Sequence, residues 1–343
     1  MSNLDSMIAK VISLGHELDR DQPLPDIEKI AGLFPRGFLS LYAAQAGTGK
    51  TWFMQYIACR LSMGGNILAG LVPKSKRMKT VIFAGETGKY LLNKRLQSTC
   101  WAYDKSRIKV YDAVELQRND IPIMLNSEEG RLTTLAIMEH EKPDIIFYDT
   151  LISFHTADES KQGEMTTIYT FLLKLANEFN CAVVVNHHTR KRSVKSPNSR
   201  RTQDDVIGSN VGVRLASRVF IAERLQDGIT DDEGMPTISV HDEKQWDKRI
   251  PDFSYQFIVD PESNLLDFAI NWGNTEQSLA WSLRDRVRNL VKSHEAGAIL
   301  KAEDVARELV TSTDNARKYL DELANKRVIA RQKLMNASVW RVL

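Results

Sequence analysis

A chain of 343 residues, 43% hydrophobic and 26% charged, can bury a sizeable core as one large domain plus something smaller. Cys59, Cys100 and Cys181 fall within apolar patterns, which argues for buried reduced thiols and against a disulfide framework, and nothing resembles a zinc cluster. The N-terminus carries no cationic leader with an apolar core and no apolar run nears membrane-spanning length, so the expected setting is cytoplasmic, away from membranes. A net charge of +2 says little about partners, so the distribution of charge must carry that argument.

In chain order, "LDSMIAKVISLGHEL" sets Met7, Ile8, Val11, Ile12 and Leu14 along one side of a helix, and the connector "DQPLPDI" follows. Residues 1–24 are therefore expected to form an N-terminal helical arm. "GFLSLYA" then reads as a short buried strand and "TWFMQYIACRLSMGG" as a helix ending in two glycines, with "AAQAGTGKT" between them. Strand, glycine loop and helix N-terminus is the setting that a phosphate-binding loop requires, although Ala44 replaces the first glycine of GxxxxGK[ST]. In the loop Ala46, Gly47, Thr48 and Gly49 would turn backbone N–H groups around phosphate oxygens. Lys50 supplies a point charge and Thr51 a hydroxyl for Mg²⁺. The expected ligands are ATP and Mg²⁺; the alternative is an ordinary strand-turn-helix with a solvated lysine.

Three further strands end in polar groups. "TVIFAGE" ends at Glu86, a candidate to polarise water, or else a start signal for the helix "KYLLNKRLQSTCW". "PDIIFYDT" ends at Asp149, which beside a phosphate loop would hold the Mg²⁺ shell with Thr51; alone it could as well cap the next segment. "CAVVVNHH" brings Asn186, His187 and His188 to its end, one histidine to sense a terminal phosphate or both as packed imidazoles. Immediately afterwards "TRKRSVKSPNSRRTQDD" crowds Arg190, Lys191, Arg192, Lys195, Arg200 and Arg201 into a loop with no acidic residue before Asp204. Such charge suits sequence-independent contact with a nucleic-acid backbone, and without aromatic residues it offers no base stacking. The alternative is a solvated basic surface.

Strand-like runs "RVFIAER", "TISVHDE", "YQFIVD" and "LLDFAINW" follow closely spaced. With the earlier strands separated by helices, they predict an α/β domain with a mostly parallel, twisted sheet and antiparallel additions at one edge, over residues 25–272. After "NWGNTEQ", the pattern "WSLRDRVRNLVKS", "KAEDVARELV", "DNARKYLDELANKR" and a strand pair around Asn336 predicts a small winged-helix domain over 280–343. Leu309, Tyr319, Leu320, Leu323, Val328 and Ile329 are its expected core, with Asn315, Arg317, Lys318 and Lys326 outward, for DNA or for docking a replication partner.

The ordered set "AAQAGTGKT", "FAGET", "FYDTLISF", "VVVNHHTRK", "GSNVGVRLASRVFIAER" and "SVHDEKQW" resembles the RecA-like P-loop ATPases of the RepA type of plasmid replicative helicase, within the DnaB-like hexameric helicases. The resemblance covers roughly 27–272 and implies a homo-oligomeric, hexameric ring with ATP between subunits. By it, Lys50 and Thr51 match the phosphate loop, Glu86 the catalytic glutamate, Asp149 the Mg²⁺-linked aspartate and His188 the terminal histidine of the "HH" motif. It also implies that Arg218 and Lys244 act in trans on a neighbour's ATP, where an arginine finger would neutralise the transferring phosphoryl group. Trp246 stands where related motors often carry an arginine. The residue-level alternatives are a salt bridge from Arg218 to Glu223 and a solvated Lys244. The resemblance further implies that the loop from Arg190 to Arg201 faces single-stranded DNA in the pore. The expected function is thus an ATP-dependent DNA helicase of plasmid, phage or integrated-element replication. Its rivals are a DNA-remodelling or loading ATPase without unwinding and a nucleotide-switched DNA-binding regulator.

Overall fold

The computed structural model describes residues 3–13, 27–64, 76–190, 201–208, 210–224, 237–245, 250–259, 263–272, 287–288, 290–291, 294, 297–309, 313–326, 328–334 and 337–342. The first helix, α1 (Asn3–Ser13), exposes Met7, Ile8, Val11 and Ile12, and the expected Leu14 lies outside the described residues. A two-residue hairpin, β1 (Lys29–Ile30) with β2 (Phe34–Pro35), leads into the central sheet.

Six strands run parallel. They are β3 (Leu39–Ala44), β4 (Thr80–Ala84), β5 (Ile108–Asp112), β6 (Ile145–Asp149), β7 (Ala182–His188) and β8 (Arg218–Arg224), in spatial order β8-β3-β7-β6-β4-β5. Beyond β8 the sheet continues antiparallel through β9 (Thr237–Gln245), β10 (Phe253–Val259) and β11 (Leu266–Trp272), giving nine strands among the described residues. The antiparallel edge expected from the closely spaced late strands is therefore present. β5, with the sequence "IKVYD", is an addition: among the described residues it pairs only with β4, it leaves Lys109 exposed, and so it lacks the continuous apolar run that marks its neighbours.

Side-chain alternation along each strand feeds two apolar layers. Tyr42, Ala44, Ile145 and Phe147 face a layer built with α2 (Lys50–Met63) and α3 (Lys89–Gln97). Leu41, Ala43, Ile146 and Tyr148 face the other, covered by α5 (Glu128–Glu141), α6 (Gln162–Glu178) and α7 (Val211–Leu215). The short α4 (Ala113–Arg118) follows β5, its first amides capped by Asp112. On the first face Phe53 of α2 stacks on Tyr42 at 5.1 Å and on Tyr255 of β10 at 4.9 Å, while the Tyr42 and Tyr255 hydroxyls lie 3.3 Å apart. Aromatic pairs of this kind add about 0.5–1.5 kcal/mol beyond the area they bury, so they tie α2, and the loop before it, to both β3 and the antiparallel edge.

The C-terminal segment contains β12 (Ile299–Leu300), α8 (Ala302–Leu309), α9 (Thr313–Asn325), β13 (Ile329–Leu334) and β14 (Ala337–Val342), with a three-stranded antiparallel sheet in the order β12-β14-β13. Leu320, Leu323 and Ile329 are buried as expected, with Val305, Trp340 and Val342, while Tyr319 and Val328 pack at the margin. The side chains of Leu309 and Asn315 lie outside the described residues; Arg317, Lys318 and Lys326 are exposed.

Candidate nucleotide site

The parallel strands deliver their carboxyl ends to one edge of the sheet, the edge at which open α/β sheets bind ligands. Residues 45–49 leave β3 there and α2 begins at Lys50. Gly47 and Gly49 sit at φ +77° and +94°, backbone conformations that favour glycine, and a Cβ on Gly49 would meet the Phe257 ring at an ordinary contact distance of 3.5 Å. Gly49 caps α2 with no side-chain hydrogen bond, and the first turn carries no acidic residue. The first amides of a 14-residue helix thus keep their donors for an anion.

Lys50 lies across the loop, buried, its Nζ donating to the carbonyls of Ala44 at 3.1 Å and Gln45 at 3.3 Å and standing 3.4 Å from His188 Nδ1. Burial lowers its pKa, and the charges of Asp149 and Glu86 pull the other way. Asp149 is 1% exposed. Its Oδ1 accepts from Asn186 Nδ2 at 2.8 Å, and its Oδ2 has no hydrogen-bond partner among the described residues. Burial raises the Asp149 pKa despite Asn186, Thr51 and the Lys50 charge close by. A buried carboxylate oxygen without a donor, beside a threonine hydroxyl and a phosphate loop, fits Mg²⁺, which binds through one or two protein oxygens and completes its shell with water and phosphate.

Glu86 follows Gly85 at the end of β4. The close approach requires glycine at 85, since a Cβ there would overlap the Ser153 side chain. The backbone N–H groups of Gly85 and Glu86 both donate to the Asp149 carbonyl, at 2.8 and 3.4 Å. The Glu86 carboxylate accepts from Thr150 Oγ1 and His188 Nε2, each at 2.9 Å. Burial works to raise its pKa, but these two hydrogen bonds, with the Lys50 charge, hold it below the ordinary carboxylate value. Because Lys50 can only donate, His188 Nδ1 accepts and Nε2 carries the proton that reaches Glu86. Lys50, Glu86, Asp149 and His188, drawn from four strand ends, therefore meet in one place. Asn186 was legible as a polar group at a strand end, but its grip on Asp149 was not, and Thr150 escaped notice because threonine after a strand is common.

Arg190 is exposed, whereas Lys191, Arg192, Lys195 and Arg200 lie outside the described residues. Arg201 is 4% exposed, its guanidinium donating to the Arg190 carbonyl and to Gln45 Oε1 at 3.3 Å, with Glu223 3.7 Å from its Nε. So placed, it closes the base of the loop rather than offering charge to a polynucleotide. Arg218 likewise differs from expectation. It opens β8 opposite Ser40, at the far end of the sheet from the phosphate loop, and is 0% exposed against Asp242 on β9. A guanidinium buried inside its own subunit does not reach a neighbour's nucleotide, so the expected trans role is withdrawn. The salt-bridge alternative was right in kind, with Asp242 as the partner. Lys244 is half-buried and its Nζ donates to the Val213 and Arg214 carbonyls at 2.8 and 2.7 Å, closing the end of α7.

A mostly parallel sheet with a phosphate loop after its central strand, and acidic groups at neighbouring strand ends, defines a RecA-like P-loop ATPase. The chain belongs to the AAA domain family (AAA_25), whose model matches residues 13–194, more than half of its length. Among solved structures it is similar to a separately solved ATPase domain, with 17% identity and a TM-score of 0.50 over 74% of this chain and 94% of that one. A DnaB-like replicative helicase, whose structure is described with its interactions with primase, is 16% identical at a TM-score of 0.50 over 75% of this chain and 69% of that one. Both likenesses are of fold. No curated protein sequence matches the chain. Among the described residues no helix is long and apolar enough to cross a membrane.

Proposed function

We propose that the chain is the motor subunit of an ATP-driven, RepA-type DNA helicase that works as a hexameric ring in replication of a plasmid, phage or integrated element. The observation that carries this reading is the Lys50–His188–Glu86 chain of hydrogen bonds beside Asp149. It joins a phosphate counter-charge, a water-polarising carboxylate and a group between them that can register the terminal phosphate. In the proposed mechanism the loop from Ala46 to Gly49 and the first amides of α2 cradle the phosphates, and Lys50 turns from its carbonyls to their charge. Thr51 and Asp149 would hold Mg²⁺, which when bound would supply charge neutralisation for the transferring phosphoryl group. Glu86, ionised and oriented by Thr150 and His188, accepts the proton of the attacking water. Lys244 remains the proposed cation contributed to a neighbouring subunit's site.

Arg190, Lys191, Arg192, Lys195 and Arg200 are proposed to touch successive phosphates of single-stranded DNA. We read residues 25–272 as the motor and 280–343 as a winged helix that contacts DNA or a replication partner through the side of α9 bearing Arg317 and Lys318. Unwinding of forked DNA of both polarities with ATP and Mg²⁺ tests the proposal. Strand separation in one polarity is expected. DNA-stimulated hydrolysis without separation would point instead to a remodelling or loading ATPase, and a single slow turnover to a nucleotide-switched regulator.

A further inference from the structure

Arg201 occupies a position that six cations in a polar loop did not foretell. Its backbone N–H donates to Glu223 Oε1 at 2.6 Å, and its carbonyl accepts from His241 Nε2 at 2.8 Å, so the residue is fixed to β8 and β9. Its guanidinium holds the Arg190 carbonyl, and Arg190 N–H in turn donates to the Asp205 carbonyl at 2.7 Å. Both ends of the basic loop are thereby held together at one point. From that point a second arm of the guanidinium reaches Gln45 Oε1 at 3.3 Å. Gln45 is the first residue after β3, and its amide orientation is fixed because a guanidinium only donates.

Gln45 is also held from the inner side of the loop. Its carbonyl accepts from Lys50 Nζ and from Thr48 N–H, each at 3.3 Å. Phosphate oxygens compete for the same ammonium, and charge-assisted bonds to phosphate are the stronger. Drawing Lys50 toward a phosphate loosens the Gln45 backbone on one side while its side chain stays tied to the base of the basic loop on the other.

We infer that the Gln45–Arg201 contact is the link through which nucleotide in the phosphate loop and single-stranded DNA on the basic loop sense each other. Arg201 and Gln45 act as positioning residues: neither touches the reacting atoms, and the inference rests on the proposed roles of the two loops. Coupling of this kind is reciprocal, so nucleotide must change DNA affinity by the factor by which DNA changes nucleotide affinity.

The test is binding of a fluorescent oligothymidylate to the full chain, by anisotropy, with and without a saturating non-hydrolysable ATP analogue and Mg²⁺. Saturation is established separately for each variant. The wild-type ratio of the two affinities is expected within the usual range of about 5–150. Gln45→Leu, which keeps bulk but removes the acceptor, is expected to bring the ratio to within about twofold of one. Gln45→Glu, which keeps an acceptor for Arg201, retains the ratio, a rescue that loss of packing alone would not show. Adding Arg201→Ala to Gln45→Leu is expected to change the ratio no further, because the two side chains act as a unit. A wild-type ratio preserved in Gln45→Leu, or lost equally in Gln45→Glu, overturns the inference and leaves the DNA role of the loop standing. A wild-type ratio of one does the same. Failure of the wild type to bind oligothymidylate at all overturns the DNA reading and the inference with it.

Discussion

His187 and His188 are neighbours on one strand with opposite surroundings. Alternation turns His188 toward Lys50 and Glu86, while His187 is buried on the other face and accepts the backbone N–H of His188 on its Nδ1. Burial lowers the His187 pKa to about 4, although Glu159 stands 3.7 Å away, and burial lowers His155 in the same direction. His187 is thus neutral in the fold and protonates more readily in the unfolded chain. Its contribution to stability is complete above the unfolded value of about 6.5 and is lost as pH falls from there toward 4, roughly 3 kcal/mol in all. Urea midpoints measured between pH 7 and 4 should fall less steeply for His187→Gln than for the wild type; equal slopes would contradict the assignment. Arg218 supplies a second residue-scale prediction. Arg218→Ala leaves Asp242 buried without its partner and should cost about 3–5 kcal/mol, seen as a lower melting temperature. An Arg218→Ala protein that melts like the wild type yet has lost hydrolysis would restore the trans role. A charge inside the apolar run "RVFIAER" was a sequence sign of a buried partner. The choice of Asp242 over Glu223 was not legible, because it depends on the β8–β9 register and its irregularity between Val219 and Phe220.

At the scale of elements, one substitution at two helical glycines should have opposite effects. In α5 a Cβ on Gly130 would overlap the Met124 carbonyl oxygen and lie 2.5 Å from its nitrogen, so backbone would have to move. Gly163 in α6 has nothing within 4 Å of the same position among the described residues. Gly163→Ala should therefore gain up to about 1 kcal/mol from helix propensity. Gly130→Ala should lose about 2 kcal/mol to overpacking, lowering the melting temperature by roughly 4–8 °C. Thermal melts of the two variants decide it, and a shift of the same sign in both would contradict the packing described. The parallel strands were legible because burial on both faces makes them continuous apolar runs, and four of them end in or lead directly into residues of the candidate site. β5 was not, since an edge strand with exposed Lys109 carries only part of that signal. The place of Arg201 was not legible for a related reason: in the sequence it is one of six cations among polar residues, and only the fold brings Glu223, His241 and Gln45 around it.

For the whole molecule, the order of motifs along the chain was enough to anticipate a RecA-like sheet, and the sheet gathers Lys50, Glu86, Asp149 and His188 at one edge. What no order of motifs conveys is which cations face outward, and there the expectations for Arg201 and Arg218 gave way to burial. The account depends most on Glu86 as the group that activates water, separate from the groups that bind nucleotide. Glu86→Gln keeps the shape and removes the basicity. The decisive measurement is steady-state ATP hydrolysis by Glu86→Gln alongside its affinity for a fluorescent ATP analogue with Mg²⁺. The account predicts wild-type affinity with turnover reduced by on the order of a hundredfold or more. Loss of binding and turnover together, or turnover at the wild-type rate, would contradict it.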